Sequence, residues 1–248
     1  MIELPPTDWR ALQTLTCHVL SDCGMDATTD HEIPLARGSV SVDVFALDGA
    51  IMPAAKYICE CKLWRRAVTR SVVHAFRTVL IDSGVSRGFL ISSGGFQAGA
   101  KEAAEHSNVE LVTWDQFQQL FAARWFREYM APRLMDEGDA LHEYTEPINS
   151  RVARREAELG RDQQTEALEL RLSYRVPSFV LRNLWFDPFE RELPIPSLPL
   201  LESMPHADRI DLPAEILEAR HMRPLMDAVT SYYRKATATF DQVFGGRA

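Results

Sequence analysis

The sequence predicts an α/β fold, a mixed central sheet flanked by helices, followed by a mainly helical C-terminal extension. Three observations predict it. Between residues 8 and 120, helical periodicities alternate with short runs rich in β-branched residues. The runs 87–92 and 109–112 are each preceded by a helical segment, the crossover that brings neighbouring strands parallel. Beyond residue 120 the strand signals fade while the helical period continues.

Residues 8–23 read as a helix, with Trp9, Leu12, Leu15, Val19 and Leu20 at three- and four-residue spacing, Thr7 or Asp8 as N-cap and Gly24 as the stop. The polar stretch 26–37 reads as a connection into a strand at 40–45. Leu47-Asp48-Gly49-Ala50 reads as a turn, and 56–64 as the second strand. A helix over 67–83 places Val72, Val73, Phe76, Val79 and Leu80 on one face. The strand RGFLIS (87–92), a Ser93-Gly94-Gly95 turn, a helix over about 96–106, a strand at 109–112 and a helix capped by Thr113 or Asp115 follow. The pattern divides the chain into residues 1–120 and a helical extension, 121–248. In the extension, Pro132–Pro147 reads as irregular, 149–175 as an exposed helix of alternating charge, and 187–205 as an extended connector. That connector carries Pro188, Pro194, Pro196, Pro199 and Pro205. Residues 213–244 read as helix with Pro213 in the first turn.

The chain has 248 residues, 46% of them apolar and 25% charged, which suits one or two ordinary domains with a proper core. Four scattered cysteines are too few for a disulfide scaffold, and no CxxC or His-x-x-x-His spacing points to structural zinc. The N-terminus lacks the pattern of a signal peptide and no stretch has the length of a membrane span, so the expected setting is a reducing cytoplasm, with no membrane partner. A net charge of −8 argues against a module that simply coats nucleic acid, and 1–120 and 121–248 each carry −4, so charge does not divide the chain.

One constellation carries chemistry. Side chains alternate along a strand, so Ile58, Glu60 and Lys62 share one face, while Cys59, Cys61 and Leu63 share the other. Asp43 stands among Val42, Val44 and Phe45 on the preceding strand, where antiparallel pairing brings it beside Glu60. Two carboxylates form a hard-oxygen site for Mg²⁺ or Mn²⁺, able to polarise a phosphodiester and activate a bound water. An adjacent lysine can position or deprotonate that water or steady developing negative charge. The plain alternatives are an exposed Glu60–Lys62 pair on an edge strand and an Asp43 that closes a turn. Cys59 and Cys61, facing away, read as small core residues. Residues 56–77 hold six basic side chains and a single acid, a local excess suited to a phosphate backbone. Arg65, Arg66, Arg70 and Lys101 are therefore expected on a nucleic-acid face, with Arg77 equally suited to a solvated helix face. Ser93 and Gly94, before a helix N-terminus, are expected either to hold a phosphate or only to make the turn.

The succession Gly38-Ser39-Val40-Ser41-Val42-Asp43-Val44, Cys59-Glu60-Cys61-Lys62, Gly88-Phe89-Leu90-Ile91-Ser92-Ser93-Gly94-Gly95-Phe96 and Gly99-Ala100-Lys101-Glu102-Ala103 resembles the Mrr-type catalytic domain. That family belongs to the PD-(D/E)xK, or restriction-endonuclease-like, superfamily, and the resemblance spans about residues 8–120. It implies that Asp43 and Glu60 bind the metal with the Cys61 carbonyl assisting, and that Lys62 is the catalytic lysine. Many relatives carry an acidic residue after an aromatic in the first helix, whereas here Arg10 follows Trp9.

The expected function is a Mg²⁺- or Mn²⁺-dependent endonuclease hydrolysing DNA in preference to RNA, in restriction or defence against phage. A homodimer is the expected assembly on duplex DNA, since one site cuts one strand per event. The extension 121–248 is expected to bind DNA, dimerise, or dock a partner protein or activating ligand. Two alternatives stand beside it: a degraded nuclease fold that binds nucleic acid or a partner protein, and a nucleotide sensor built on the Ser93–Gly95 turn.

Overall fold

A computed structural model describes residues 1–35, 38–186 and 194–245. The chain separates into two compact units, Met1–Tyr129 and Met130–Ala248.

The first unit opens with α1 (Trp9–Asp22), whose N-cap Asp8 accepts the Ala11 N–H at 2.8 Å. Three strands follow, β1 (Asp26–Leu35), β2 (Gly38–Asp48) and β3 (Ala55–Lys62), then α2 (Arg70–Ser83), β4 (Arg87–Ser92), α3 (Ala98–Ala104), β5 (Val109–Val112) and α4 (Trp114–Trp125). Thr113 caps α4 in a capping box with Gln116. The expected order thus holds with one addition. The polar stretch after α1 is a strand, antiparallel to β2 over nearly its whole length. Its charges and Pro34 hid it, but these suit an edge strand, where one side faces water and a missing N–H costs nothing. Leu47 and Asp48, read as turn, are the last residues of β2.

The sheet order is β1-β2-β3-β4-β5, antiparallel across the first three strands and parallel across the last three. Helices cover both faces. Ile58 and Leu90 pack with Val73, Phe76 and Leu80 of α2 and Ala100 and Ala103 of α3. On the opposite face lie α1, with Leu12, Thr16, Val19 and Leu20 buried, and α4, where Phe117 and Phe121 pack on Phe89. α2 and α3 are stapled together: Arg70 pairs with Glu102 and donates to the Gly99 carbonyl at 3.2 Å, and Arg77 donates to the Ala103 carbonyl at 2.9 Å. Arg70, expected on a nucleic-acid face, is therefore committed to α3. The α3 helix is shorter than expected, at seven residues.

The second unit departs further from the sequence reading. A π-turn (Phe126–Met130) leads into α5 (Ala131–Thr145), which replaces the expected irregular segment. Pro132 sits in the first turn, where its missing N–H has no intrahelical role. The expected helix over 149–175 is two, α6 (Ser150–Ala157) and α7 (Arg161–Trp185), parted at Gly160. Pro188 and the rest of 187–193 lie outside the described residues. The connector ends in a short helix, α8 (Leu200–Ser203), and 213–244 divides into α9 (Ala214–Leu217) and α10 (Met222–Phe244). α5, α7 and α10 form the core, with Leu134, Leu141, Leu181, Trp185, Leu225, Val229 and Phe240 buried. A Cβ on Gly138 would stand 3.0 Å from the Tyr233 ring, so the close approach of α5 and α10 requires glycine there. Among the described residues no helix is long and apolar enough to cross a membrane.

Candidate active site

The β2–β3 ladder runs from Asp48–Ala55 to Val44–Cys59 and stops there. Continued one step, its register sets Asp43 opposite Glu60. At this point the strands part, and side chains take over the backbone's hydrogen bonds. The Cys61 N–H donates to Asp43 Oδ2 at 2.7 Å, the Cys61 carbonyl accepts the Trp9 indole N–H at 3.1 Å, and the Asp43 carbonyl accepts Gln13 Nε2 at 2.8 Å. Trp9, Gln13 and Thr16 share one face of α1 at helical spacing, and the Thr16 hydroxyl lies 3.8 Å from Cys61 Sγ. One face of α1 is thus polar because it replaces the missing ladder bonds. Gln13 and Thr16 are buried for that reason, while Leu15, expected in the core, is half-buried.

Glu60 and Lys62 lie side by side as the alternation predicts and form an ion pair, both half-buried. Asp43 belongs to the same electrostatic cluster. Burial pushes its carboxyl up to about 6, with the Glu60 charge adding to the rise and the Cys61 N–H and Lys62 opposing it. An ionised Asp43 therefore stands in the folded chain at a cost of about 1–3 kcal/mol at neutral pH. Asp43, Glu60 and Lys62 are brought together. Cys59 and Cys61 face away into the core, where burial raises both thiols far from ionisation.

Asp30 was not legible in the sequence. The β1–β2 register sets it across from Asp43, since Thr29 pairs with Val44 and His31 with Val42. Its backbone takes a positive φ of 50°. Its carboxylate accepts Arg10 Nη1 at 3.1 Å and Gln13 Nε2 at 2.9 Å, and its charge adds to the rise at Asp43. Arg10 thus holds an acid from the edge strand. A polar residue amid the apolar period of α1 was the available signal for Gln13. Asp30 had none, because its strand was unrecognised.

Arg65 and Arg66 are exposed in the loop after β3, and Lys101 is exposed on α3. Ser93 and Gly94 serve a different end from the phosphate cradle considered above. The Ser93 N–H donates to the Lys62 carbonyl at 3.2 Å and its hydroxyl to the Trp64 carbonyl at 2.9 Å. A Cβ on Gly94 would fall 2.6 Å from the Trp64 carbonyl oxygen and 2.4 Å from that of Arg66. Glycine is needed because the turn presses on the 64–66 backbone, and the turn braces that loop.

The donor set suits a hard cation: two carboxylates, plus a carbonyl with one lone pair on Trp9 and a second available. Among the described residues no group of three or more His, Cys, Asp or Glu side chains converges as a metal-holding cluster. The two-carboxylate arrangement would then be completed by backbone and water.

Residues 6–121 match the family described as restriction endonuclease, of the Mrr catalytic type. No curated protein matches the chain. A crystal structure described as that of a protein of unknown function is 14% identical, covers 96% of this chain and 99% of its own, and gives a TM-score of 0.38. The family match takes in the whole sheet with its flanking helices and ends inside α4, so it is the N-terminal unit of this chain that belongs to the Mrr-type restriction endonuclease family.

Proposed function

We propose that the N-terminal unit is a divalent-metal-dependent endonuclease that hydrolyses DNA phosphodiester bonds at the fork between β2 and β3. The single observation supporting this most is the meeting of Asp43, Glu60 and Lys62 where the two strands part. Asp43 and Glu60 would hold Mg²⁺ or Mn²⁺, with the Cys61 carbonyl as a further ligand. A bound cation there supplies Lewis-acid polarisation of a phosphoryl oxygen and a more acidic water. The ionised Asp43 is costly without a cation, and cation binding relieves that cost. Gln13 and Trp9 fix the two backbone carbonyls that aim the site. Were Glu60 to hold a cation, Lys62 would be free to orient the attacking water or to balance charge gathering on the phosphate. Arg65, Arg66 and Lys101 offer phosphate contacts on the neighbouring surface.

The restriction setting of the matched family supports a role against foreign DNA, and a homodimer would be required were both strands to be cut in one event. We assign the helical unit the docking of a partner protein or activating ligand. Calorimetric titration with Mn²⁺ tests the site directly. Binding is expected in the parent chain and in Lys62→Met, and is expected to be lost in Glu60→Ala and Asp43→Ala together with DNA cleavage. Absence of Mn²⁺ binding by the parent chain would overturn the reading. A second reading, a nuclease fold kept only for binding, is favoured by the Glu60–Lys62 pair closing on itself. It predicts DNA binding with neither cleavage nor a response to Mn²⁺.

A further inference from the structure

The chain has five tryptophans. Trp114, Trp125 and Trp185 are buried, while Trp9 is 39% exposed and Trp64 36% exposed. Tryptophan is highly buried on average, so an exposed pair calls for a reason. The two exposed rings are fastened to neighbouring residues of the fork. Trp9 holds the Cys61 carbonyl through its indole N–H at 3.1 Å, and the Trp64 ring lies with its centroid 5.2 Å from Lys62 Nζ. Each ring also carries an arginine: Arg10 at 5.0 Å from the centre of Trp9, Arg66 at 6.0 Å from that of Trp64.

The Trp64 loop is held in place before any substrate arrives. Ser93 ties its carbonyl, and Gly94 packs under the 64–66 backbone. The next residues are clamped by Val68 N–H to the Gly95 carbonyl at 2.9 Å and Gln97 N–H to the Val68 carbonyl at 3.0 Å. A large flat ring on a braced loop, beside a cation and open to solvent, suits π-stacking at little ordering cost.

We propose that Trp64, assisted by Trp9, is a stacking platform for unpaired DNA bases, so that this site takes DNA whose bases are single-stranded or unpaired around the bond to be cut. The proposal rests on the nuclease reading only for where the strand lies. Bases in an intact duplex have no free face to offer an aromatic side chain, whereas every unpaired base does. The basic side chains beside each ring serve the backbone of the same strand.

Binding in EDTA tests this without cleavage. A short fluorescein-labelled single strand, its duplex, and the same duplex with a central unpaired bubble are titrated with the full chain by anisotropy, and tryptophan emission is followed with the unlabelled strands. The single strand and the bubble are expected to bind more tightly than the duplex and to quench tryptophan emission. Trp64→Ala is expected to weaken single-strand and bubble binding about 5- to 150-fold, the range found for loss of one stacked base, with duplex binding unchanged. Trp64→Phe is expected to restore affinity to within a few-fold while removing most of the quench. Trp9→Phe is expected to give a smaller loss of affinity. Equal affinity of Trp64→Ala and the parent chain for the single strand, an equal loss on the intact duplex, or tighter binding of the matching RNA strand would each overturn the proposal. A nuclease that cuts the single strand and the bubble at the parent rate with Trp64→Ala would overturn it while leaving the proposed activity standing. Base-dependent quenching without metal-dependent cleavage would do the reverse.

Discussion

The β2–β3 ladder has an aspartate at its closed end, Asp48, and another just past its open end, Asp43, and the fold treats the two in opposite ways. Asp48 is fully buried and takes both Nη groups of Arg124, one at 3.0 Å, while Arg124 Nε reaches Glu128 at 2.9 Å. The guanidinium hydrogen bonds hold the Asp48 carboxyl below its ordinary range against the opposing pull of burial. Asp43 has one backbone N–H, a carboxylate neighbour and burial, and is pushed up to about 6. A buried carboxylate given a bidentate partner is a structural fastening. One left without such a partner keeps a charge that a bound cation would offset. The difference lies in what α1 and α4 bring: α4 offers an arginine to Asp48 at the closed end, while α1 gives its arginine to Asp30 and offers Asp43 only the neutral Gln13.

Substitutions at the two ends should separate these roles. The largest effect expected is on chemistry: Lys62→Met should lower DNA cleavage with Mn²⁺ by at least about 10²-fold, the scale for loss of one charge-stabilising group, with Mn²⁺ affinity within a few-fold of the parent chain. At the closed end, Arg124→Met should strand a buried carboxylate and cost about 3–5 kcal/mol in urea unfolding at pH 7, without changing Mn²⁺ affinity. Because the folded Asp48 value is depressed, its stabilisation is present above the unfolded value and lost as pH falls through the acid range. The penalty of Arg124→Met should therefore shrink toward pH 3.

Asp43→Asn should do the opposite. The folded value is raised, so the folded chain binds this proton more tightly than the unfolded chain, and stability from this group falls as pH rises from about 4 through about 6. In EDTA at pH 8, Asp43→Asn should stabilise by about 1–3 kcal/mol, with the gain vanishing near pH 4 and cleavage lost throughout. A destabilised variant at pH 8 would break the contrast between the two aspartates. The smallest effects belong to the arginines. Arg65→Ala and Arg66→Ala should each lower the salt slope of DNA binding by about one. Arg70→Ala, tied to Glu102 on the surface, should leave that slope unchanged and cost at most about 1 kcal/mol of stability.

Much of the fold was legible because it is written locally. The period of α1, the capping Thr113, the apolar run of β4 and the alternation placing Glu60 and Lys62 on one face depend on neighbours in the chain. The edge strand β1 was missed because half of its surface faces water and its pattern is polar. In the helical unit, Pro132, read as part of an irregular segment, sits in the first turn of α5, and α7 runs past 175 through Pro177. Tertiary packing overrides their local preference.

The sequence by itself determined the order of helices and strands, the pairing of Glu60 with Lys62, and a third charge, Asp43, one strand away. Only the tertiary structure decided that β2 and β3 part at Asp43, that α1 fills the gap with Trp9 and Gln13, and that Asp30 stands across from Asp43 on an unforeseen strand. It also decided that Arg70 and the Ser93–Gly94 turn brace the protein, while Trp9 and Trp64 stay open to solvent. Periodicity is a property of consecutive residues and survives in the bare chain. A hydrogen bond from residue 9 to residue 61 depends on where two distant segments come to rest, and no local pattern encodes it.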